Sequence, residues 1–266
     1  TYLFEPAVAY RVREGNEEGT PLPLDEPQAD NPAVGVNVEY YLADAARTPV
    51  VIDVLDAGGR TERHFSSAEK PKPVDPQSVD YTTHWIAVQH VPEATAGAHR
   101  FVWDFREGSE DGLLVPPGRY TIRLTVNGKS YTRTSVVRRD PRAPATDADL
   151  QAQYELAREV QGLRDEVRAA RKRSKDAAST VAPSVSHDFM ATIVGVPPKN
   201  SPDDSIGVYS HDVTSFLYLD TSLGNLINAI ESADAPPTPD MRSAFRKLEA
   251  LYGQTLQRQR TMQTMR

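Results

Sequence analysis

The sequence predicts a mainly β protein with a helical C-terminal part, an antiparallel β-sandwich followed by a helical bundle. In the first half of the chain, apolar and polar residues alternate over several short segments, the period of strands with one buried face. Beyond residue 146 the apolar period changes to about 3.6 residues, which is the period of an amphipathic helix. The segment 138–144 holds two prolines and three arginines between the two patterns, so we expect the boundary there.

The clearest strand pattern lies in residues 97–106. Phe101, Trp103 and Phe105 alternate there with polar residues. Since successive side chains of a strand point to opposite faces, the three aromatic rings share one face. We predict that they belong to the core. An exposed Trp103 beside Asp104 would instead suggest a carbohydrate platform, but the alternation favours burial.

A second strand follows in residues 116–128, where apolar residues alternate from Tyr120 onward. It ends at Asn127-Gly128, the residue pair that best accepts the positive φ angles of a type I′ hairpin turn. The return strand is predicted over residues 129–137. A two-residue turn would place Ile122 opposite Arg133, an interruption of the apolar face that either a bulge or an edge position would resolve.

Other alternating segments bring the count to six or seven short strands, which suits an antiparallel sandwich. These additional predicted strands are residues 36–42, 50–54 and 60–66. Residues 67–96 are too long for a structureless loop in a compact domain, so we expect a short strand or a covering segment there.

A strand that ends in Trp103-Asp104 is followed by a loop and by the pattern Pro116-x-Gly118-x-Tyr120-Thr. This arrangement resembles the immunoglobulin-like domain first described in flagellar hook-capping proteins. It is more similar to the segment that follows the β-propeller in bacterial sortilin-like proteins with BNR repeats, often labelled glycosyl-hydrolase-like. The likeness runs from residues 2–4 to residues 232–235 and is weakest in residues 176–212.

The resemblance implies an immunoglobulin-like sandwich of the hook-capping type over residues 30–140, with residues 1–29 as an extended arm and loop linking to a preceding domain. That domain would be a β-propeller, in the same polypeptide or in a second chain. The region would be a non-catalytic accessory module of a secreted or periplasmic protein. Tyr2 and Phe4 of the arm are then candidates for contact with the propeller, although alternating apolar residues are also typical of a local core.

The helical region is predicted over residues 146–266, with an irregular insertion at residues 177–212. Thr146 and Asp149 have the spacing of a capping box at the start of the first helix. Thr238-Pro239 is typical of an N-cap and first helical position for the last helix. Phe189 and Met190 make the insertion too apolar for a solvated loop, so we include both among the interface candidates.

Composition excludes several classes of function. The 266 residues carry a net charge of −7, which argues against nucleic acid as the main partner. The sequence has no cysteine, and therefore no disulfide or thiolate chemistry. No apolar run approaches the length of a membrane span, and the first residues lack the features of a signal peptide. The basic run 168–175 is interpreted as a solvated helix end.

Motifs of catalysis are absent, so we predict no catalytic residue and no cofactor. The nearest candidate cluster among the histidines is a pair of matching dipeptides, His187-Asp188 and His211-Asp212, which would hold a metal or act as acid and base if they met. Solvated loop residues are the simpler interpretation. Two further functions stay open: a part of a glycoside hydrolase that contributes to a sugar site, and a free carbohydrate-binding sandwich.

Overall fold

The computed structural model describes residues 1–13, 34–70, 90–109, 111–178, 189–195 and 214–264. The chain divides into two compact units, Thr1–Asp147 and Ala148–Arg266. Strands occupy the first unit and helices the second. The fold class expected from the two apolar periods is therefore confirmed: a β-sandwich and a helical C-terminal region.

The first unit has eight strands in the described residues, arranged in two sheets. The strands are β1 Tyr2–Leu3, β2 Ala9–Arg11, β3 Val36–Leu42, β4 Val51–Leu55, β5 Thr61–Ser66, β6 Gly97–Trp103, β7 Gly118–Val126 and β8 Lys129–Arg139. One sheet has the order β1-β3-β6 and the other β2-β8-β7-β4-β5. All the pairs are antiparallel except β2 with β8, which is parallel and departs from the antiparallel expectation.

The inner faces of the two sheets share one hydrophobic core. Val38 and Phe101 enter it from the three-stranded sheet, and Ile52 and Leu124 from the five-stranded sheet. Trp103 is fully buried, and its ring centroid lies 5.1 Å from that of Tyr120 across the core. Because the alternating apolar residues of both sheets meet in one cluster, the architecture is that of a sandwich.

The aromatic strand is shorter than its alternation suggests. β6 ends at Trp103, and Phe105 has a φ of 62°, in the left-handed region. A ring at that position still reaches the core, since Phe105 is buried, but the backbone has left the ladder. A single bridge between Arg106 and Leu114 follows. The predicted strand over residues 97–106 is thus wrong in its last three residues.

The β7–β8 hairpin has the turn and register that its sequence predicts. Asn127 and Gly128 have φ angles of 49° and 77°, both positive as in a type I′ turn. Ile122 lies opposite Arg133, and the ladder continues without a bulge to Gly118. Strand β2 pairs only with the last three residues of β8, so Arg133 of β8 has no described strand on that side and lies at an edge of the sheet. The edge position, rather than a bulge, therefore accounts for the interruption of the apolar face.

The helical unit has three α-helices and a short π-helix in its described residues. They are α1 Asp147–Ala178, the π-helix Met190–Val194, α2 Phe216–Ile230 and α3 Pro239–Thr264. The Ser215 hydroxyl accepts a hydrogen bond from the Tyr218 N–H at 3.2 Å and caps α2. Thr238 caps α3 in the same way through the Met241 N–H, as its sequence predicts.

Side-chain hydrogen bonds join the helices to one another. The Gln153 amide on α1 donates to the carbonyl of Ile230 at the end of α2 at 2.6 Å. The Gln259 amide on α3 donates to the Ser174 hydroxyl on α1 at 2.8 Å. Since these polar groups lie among buried apolar residues, their bonds fix the relative register of the helices more narrowly than apolar packing alone.

Replacing Asn127 tests how much the turn stabilises the first unit. Its Oδ1 accepts from the backbone N–H of Arg47 at 2.8 Å, and its φ is positive. Asn127→Ala should lose the bond and strain the turn, and lower the free energy of unfolding by about 1–3 kcal/mol. Asn127→Gly keeps the conformational freedom and should lose about 1 kcal/mol less.

Urea denaturation followed by tryptophan fluorescence measures both changes. Lys129→Ala, an exposed position two residues away, is the control and should be near neutral. Equal losses for the alanine and glycine variants would show that the positive φ of Asn127 contributes nothing.

Candidate functional site

The N-terminal arm is held on the sandwich by one buried side chain. Leu3, 1% exposed, enters the core, and β1 pairs with β3 so that Leu3 lies opposite Tyr40. The Phe4 N–H continues the pairing by donating to the Glu39 carbonyl at 3.0 Å. Because side chains alternate along a strand, anchoring Leu3 inward turns Tyr2 and Phe4 outward.

Three aromatic side chains form a patch on the outer face of the three-stranded sheet. Tyr2 is 51% exposed, Phe4 43% and Tyr41 45%. Tyr41 lies directly opposite Tyr2 in the β1–β3 ladder. We call Tyr2, Phe4 and Tyr41 the aromatic patch. It is contiguous, whereas exposed apolar residues scattered singly are normal on any protein.

The rings of the aromatic patch meet edge to face. The Tyr2 and Phe4 centroids are 4.8 Å apart, with 73° between the ring planes. The Arg133 guanidinium lies over the Tyr2 ring, 5.6 Å from its centroid, in a cation–π contact. A sugar ring stacks on a flat aromatic face, and neighbouring rings that are nearly perpendicular do not extend such a face. The geometry therefore suits an irregular apolar partner surface better than a carbohydrate.

A charged rim borders the patch. The Arg100 guanidinium on β6 donates to the Glu39 carboxylate on β3, through Nε at 3.0 Å and also through Nη2. Glu39 is the cross-strand neighbour of Arg100, and Phe4 lies on its other side. An apolar centre with a polar border is the usual anatomy of a protein–protein interface.

The predicted interface residues have different environments. Tyr2 and Phe4 are exposed, as described above. Phe189 is 1% exposed and lies within the chain's own core, so its side chain offers no surface to a partner. Met190, the first residue of the π-helix, is half-buried. Tyr41 was missed, although its place in the polar half of the β3 alternation, after Asn37 and Glu39, could have marked it.

The residues predicted to be structural lie in the sandwich. Trp103 is fully buried, and its indole N–H donates to the Arg106 carbonyl at 2.9 Å. It is therefore not available as a carbohydrate platform. The Tyr120 hydroxyl donates to the Pro116 carbonyl at 2.7 Å, which closes the turn around Gly118 at the start of β7.

The histidine and aspartate candidates His187, Asp188, His211 and Asp212 lie outside the described residues. Within the described part of the chain, no group of three or more histidine, cysteine or acidic side chains could hold a metal ion. None of the helices described there is both long and apolar enough to cross a membrane.

Two carboxylates that sequence patterns did not single out, Glu62 and Glu107, are close together near the start of β5. The β4–β5 ladder shifts between Val54 and Leu55, and Glu62 is the extra residue of this bulge. The bulge buries Glu62, whose side chain hydrogen-bonds with Glu107 and with the Arg60 guanidinium. Burial is the main reason why the pKa of Glu62 rises to about 7; Arg60 partly offsets the rise and Glu107 adds to it.

This carboxylate pair does not have the geometry of a glycoside hydrolase. The two carboxyl groups of such an enzyme are separated by about 5–10 Å, since the scissile bond lies between them. Glu62 and Glu107 are in direct hydrogen-bond contact instead. The pair therefore does not have the carboxylate separation that a glycoside hydrolase needs.

A second polar cluster lies on the outer face of the five-stranded sheet. The Asp53 carboxylate contacts the His64 Nδ1 at 2.7 Å and accepts from the Arg123 guanidinium at 3.0 Å. An aspartate that orients a histidine is one part of a hydrolytic triad. Among the hydrogen bonds of the described residues, none joins His64 to a serine or threonine hydroxyl, so a nucleophile is not in place. Arg123 occupies the second carboxylate oxygen, and the cluster has the form of a cross-strand ion pair.

The shifted pKa of Glu62 predicts a pH-dependent stability. The folded protein keeps a proton on Glu62 up to about pH 7, while the unfolded chain releases it near its ordinary pKa of 4.5. Stability from this group is thus full below pH 4.5 and is lost as the pH rises through 7. The loss should be about 3 kcal/mol, and Glu62→Gln should remove it.

The check is the free energy of unfolding in urea at pH 5 and pH 8 for the wild type and Glu62→Gln. The variant should gain stability relative to the wild type at pH 8 but not at pH 5. Glu69→Gln, at an exposed position, is the control. Parallel pH dependences for the wild type and Glu62→Gln would contradict the assignment.

Comparison with known proteins identifies no family for this chain. No protein-family model and no curated protein matches the chain. Among solved structures, it is similar to the crystal structure of FlgD from P. aeruginosa, the flagellar hook-capping protein, at 19% identity and a TM-score of 0.21. The match covers 37% of this chain and 56% of FlgD, so the two share only part of their lengths. A likeness at this level carries no argument about fold or function.

Proposed function

We propose that this chain is a non-catalytic accessory module that packs against a β-propeller through the aromatic patch. The observation that carries the proposal is the patch itself: Tyr2, Phe4 and Tyr41 are exposed and contiguous on a sheet face. Exposed aromatic clusters with a polar border are typical of protein docking surfaces.

Binding through the aromatic patch would cost little conformational entropy. The backbone of Tyr2 and Phe4 is bonded to β3, and the Arg133 guanidinium lies 5.6 Å from the centroid of the Tyr2 ring. Aromatic side chains have few rotatable bonds, so ordering them on binding costs less than ordering long flexible side chains. Tyrosine is also enriched among the residues that contribute most binding energy at interfaces.

The identity of the partner rests on the sequence resemblance. The region that follows the propeller in sortilin-like BNR-repeat proteins has the same order of arm, sandwich and helices, and there the arm comes from the propeller. Tyr2 and Phe4 belong to this arm, so a preceding propeller would lie close to the patch. A secreted or periplasmic location, and a parent protein of the glycosyl-hydrolase-like type, belong to the same proposal.

The proposal is tested by photo-crosslinking in the natural gene product, purified intact. A photoreactive phenylalanine analogue replaces Phe4, and in a control protein it replaces Tyr10, which is similarly exposed but lies in the other sheet on β2. Mass spectrometry should find crosslinks from position 4 to strands of a β-propeller, in the same polypeptide or in a second chain. Crosslinks at position 10 should be rarer or should end on other segments.

A monomeric product with no propeller, and no crosslink from position 4 beyond its own sandwich, would overturn the proposal. A patch that binds oligosaccharides in the same preparation would favour a carbohydrate-binding sandwich instead. Glycoside turnover that survives removal of the propeller would favour the hydrolase alternative.

Polar substitutions in the patch should weaken docking without unfolding the sandwich. Tyr2→Ser with Tyr41→Ser removes two exposed rings, and aromatic residues at interface centres contribute about 2 kcal/mol each. If the propeller is a second chain, we expect at least a thirty-fold loss of affinity for it. If the propeller and the sandwich share one polypeptide, we expect a matching rise in hydrogen exchange at the patch. Tyr10→Ser is the matched control, and an equal effect there would show that the patch is not the contact.

A further inference from the structure

Five basic residues lie along one face of α1. They are Arg164, Arg168, Arg171, Lys172 and Lys175. Arg164, Arg168, Arg171 and Lys175 recur at steps of three or four residues, which brings their side chains to the same side of a helix, and Lys172 adjoins them as the residue after Arg171. The sequence favoured a solvated helix end for this run, but the structure places part of it against other elements of the helical unit.

Two acceptors fix the arginines of this face. One oxygen of the Asp220 carboxylate on α2 accepts from the Nε of Arg164 and from the Nε of Arg168, each at 2.8 Å. The Val194 carbonyl at the end of the π-helix accepts from the Nε of Arg171 at 3.0 Å. An arginine held through Nε still has its terminal nitrogens available, so the bonds orient these side chains without using all their donors.

Gly224 provides the room for this arrangement. A Cβ at that position would lie 2.7 Å from the Arg164 Nη2, so a larger residue would displace the guanidinium from α2. The glycine weakens α2 as a helix but permits Arg164 to reach Asp220. Arg164 neutralises much of the charge of Asp220, and this leaves the other cations of the face less compensated.

A cleft of about 370 Å³ opens beside these groups. Its lining consists of Arg168, Arg171, Lys172, Lys175, Val194 and Asp220. Four cations thus surround one carboxylate in a protein whose net charge is −7. Lys172 and Lys175 form no ion pair or hydrogen bond in the described part of the chain, so their ammonium groups keep all their donors for a ligand.

We propose that this cleft binds a small oxyanion of at least two negative charges, a phosphate or a phosphate ester. Arg168 and Arg171 would donate from their terminal nitrogens, a geometry that matches phosphate oxygens, and Lys172 and Lys175 would supply charge. The lining residues come from α1, α2 and the π-helix, and a cleft of this volume suits a small ligand. The acidic chain as a whole disfavours an extended polyanion.

The test is calorimetric titration of the full chain with inorganic pyrophosphate and with inorganic phosphate, at constant ionic strength set by chloride. Wild-type protein should bind pyrophosphate more tightly than phosphate, because the cleft offers several cations. Lys175→Gln should weaken binding about ten-fold, the usual effect of losing one charge-assisted hydrogen bond, and it removes no bond within the described protein. Arg171→Gln should weaken it at least as much.

Lys247→Gln on α3 is the control, since it removes an equally exposed cation away from the cleft, and its affinity should stay within two-fold of the wild type. Equal losses in the control and in Lys175→Gln would show only a general charge effect and would overturn the site. The site would also be overturned if the wild type bound pyrophosphate no more tightly than it binds chloride. Binding of nucleic acid or anionic vesicles without binding of pyrophosphate would overturn it in favour of a macromolecular surface.

Discussion

Burial of Trp103 between the two sheets is the interaction on which the first unit depends. Its ring lies 5.1 Å from Tyr120 of β7 and 6.0 Å from Phe105, and its indole N–H is satisfied by the Arg106 carbonyl. β6 belongs to one sheet and β7 to the other, so a single side chain joins the two layers. The size of the buried indole sets the distance between the two sheets, and the remaining core residues fill the space at that distance.

The aromatic patch is a consequence of the same packing. β3 is in register with β6 through Val38 opposite Phe101, both of which face the core. A shift of one residue would reverse every side chain of β3, so core packing also fixes Tyr41 outward. β1 then pairs with β3 and places Tyr2 beside Tyr41. The exposed rings therefore derive their positions from buried ones.

Local sequence patterns predicted those structural features that are determined by residues close together in the chain. The alternating strands, the Asn127-Gly128 turn with Ile122 opposite Arg133, and the Thr238 cap all follow from spacing or from turn chemistry. The positive φ of Phe105 and the bulge at Glu62 did not follow, because each depends on contacts between segments distant in sequence. The same is true of the basic face of α1: the sequence showed the basic run 168–175, but its acceptors, Asp220 and the Val194 carbonyl, are distant in sequence.

The two surfaces that we assign to binding differ in the force that would act on them. Attraction at the patch comes mainly from removal of aromatic area from water, which salt does not weaken. Attraction at the cleft comes from cations, and the Debye length falls from about 10 Å at 0.1 M salt to about 3 Å at 1 M. Partner docking through Tyr2 and Tyr41 would then persist at a salt concentration that releases an oxyanion from Lys172 and Lys175. Ionic strength would thus separate the two proposed binding events without any substitution, because the forces at the two surfaces differ in their dependence on salt.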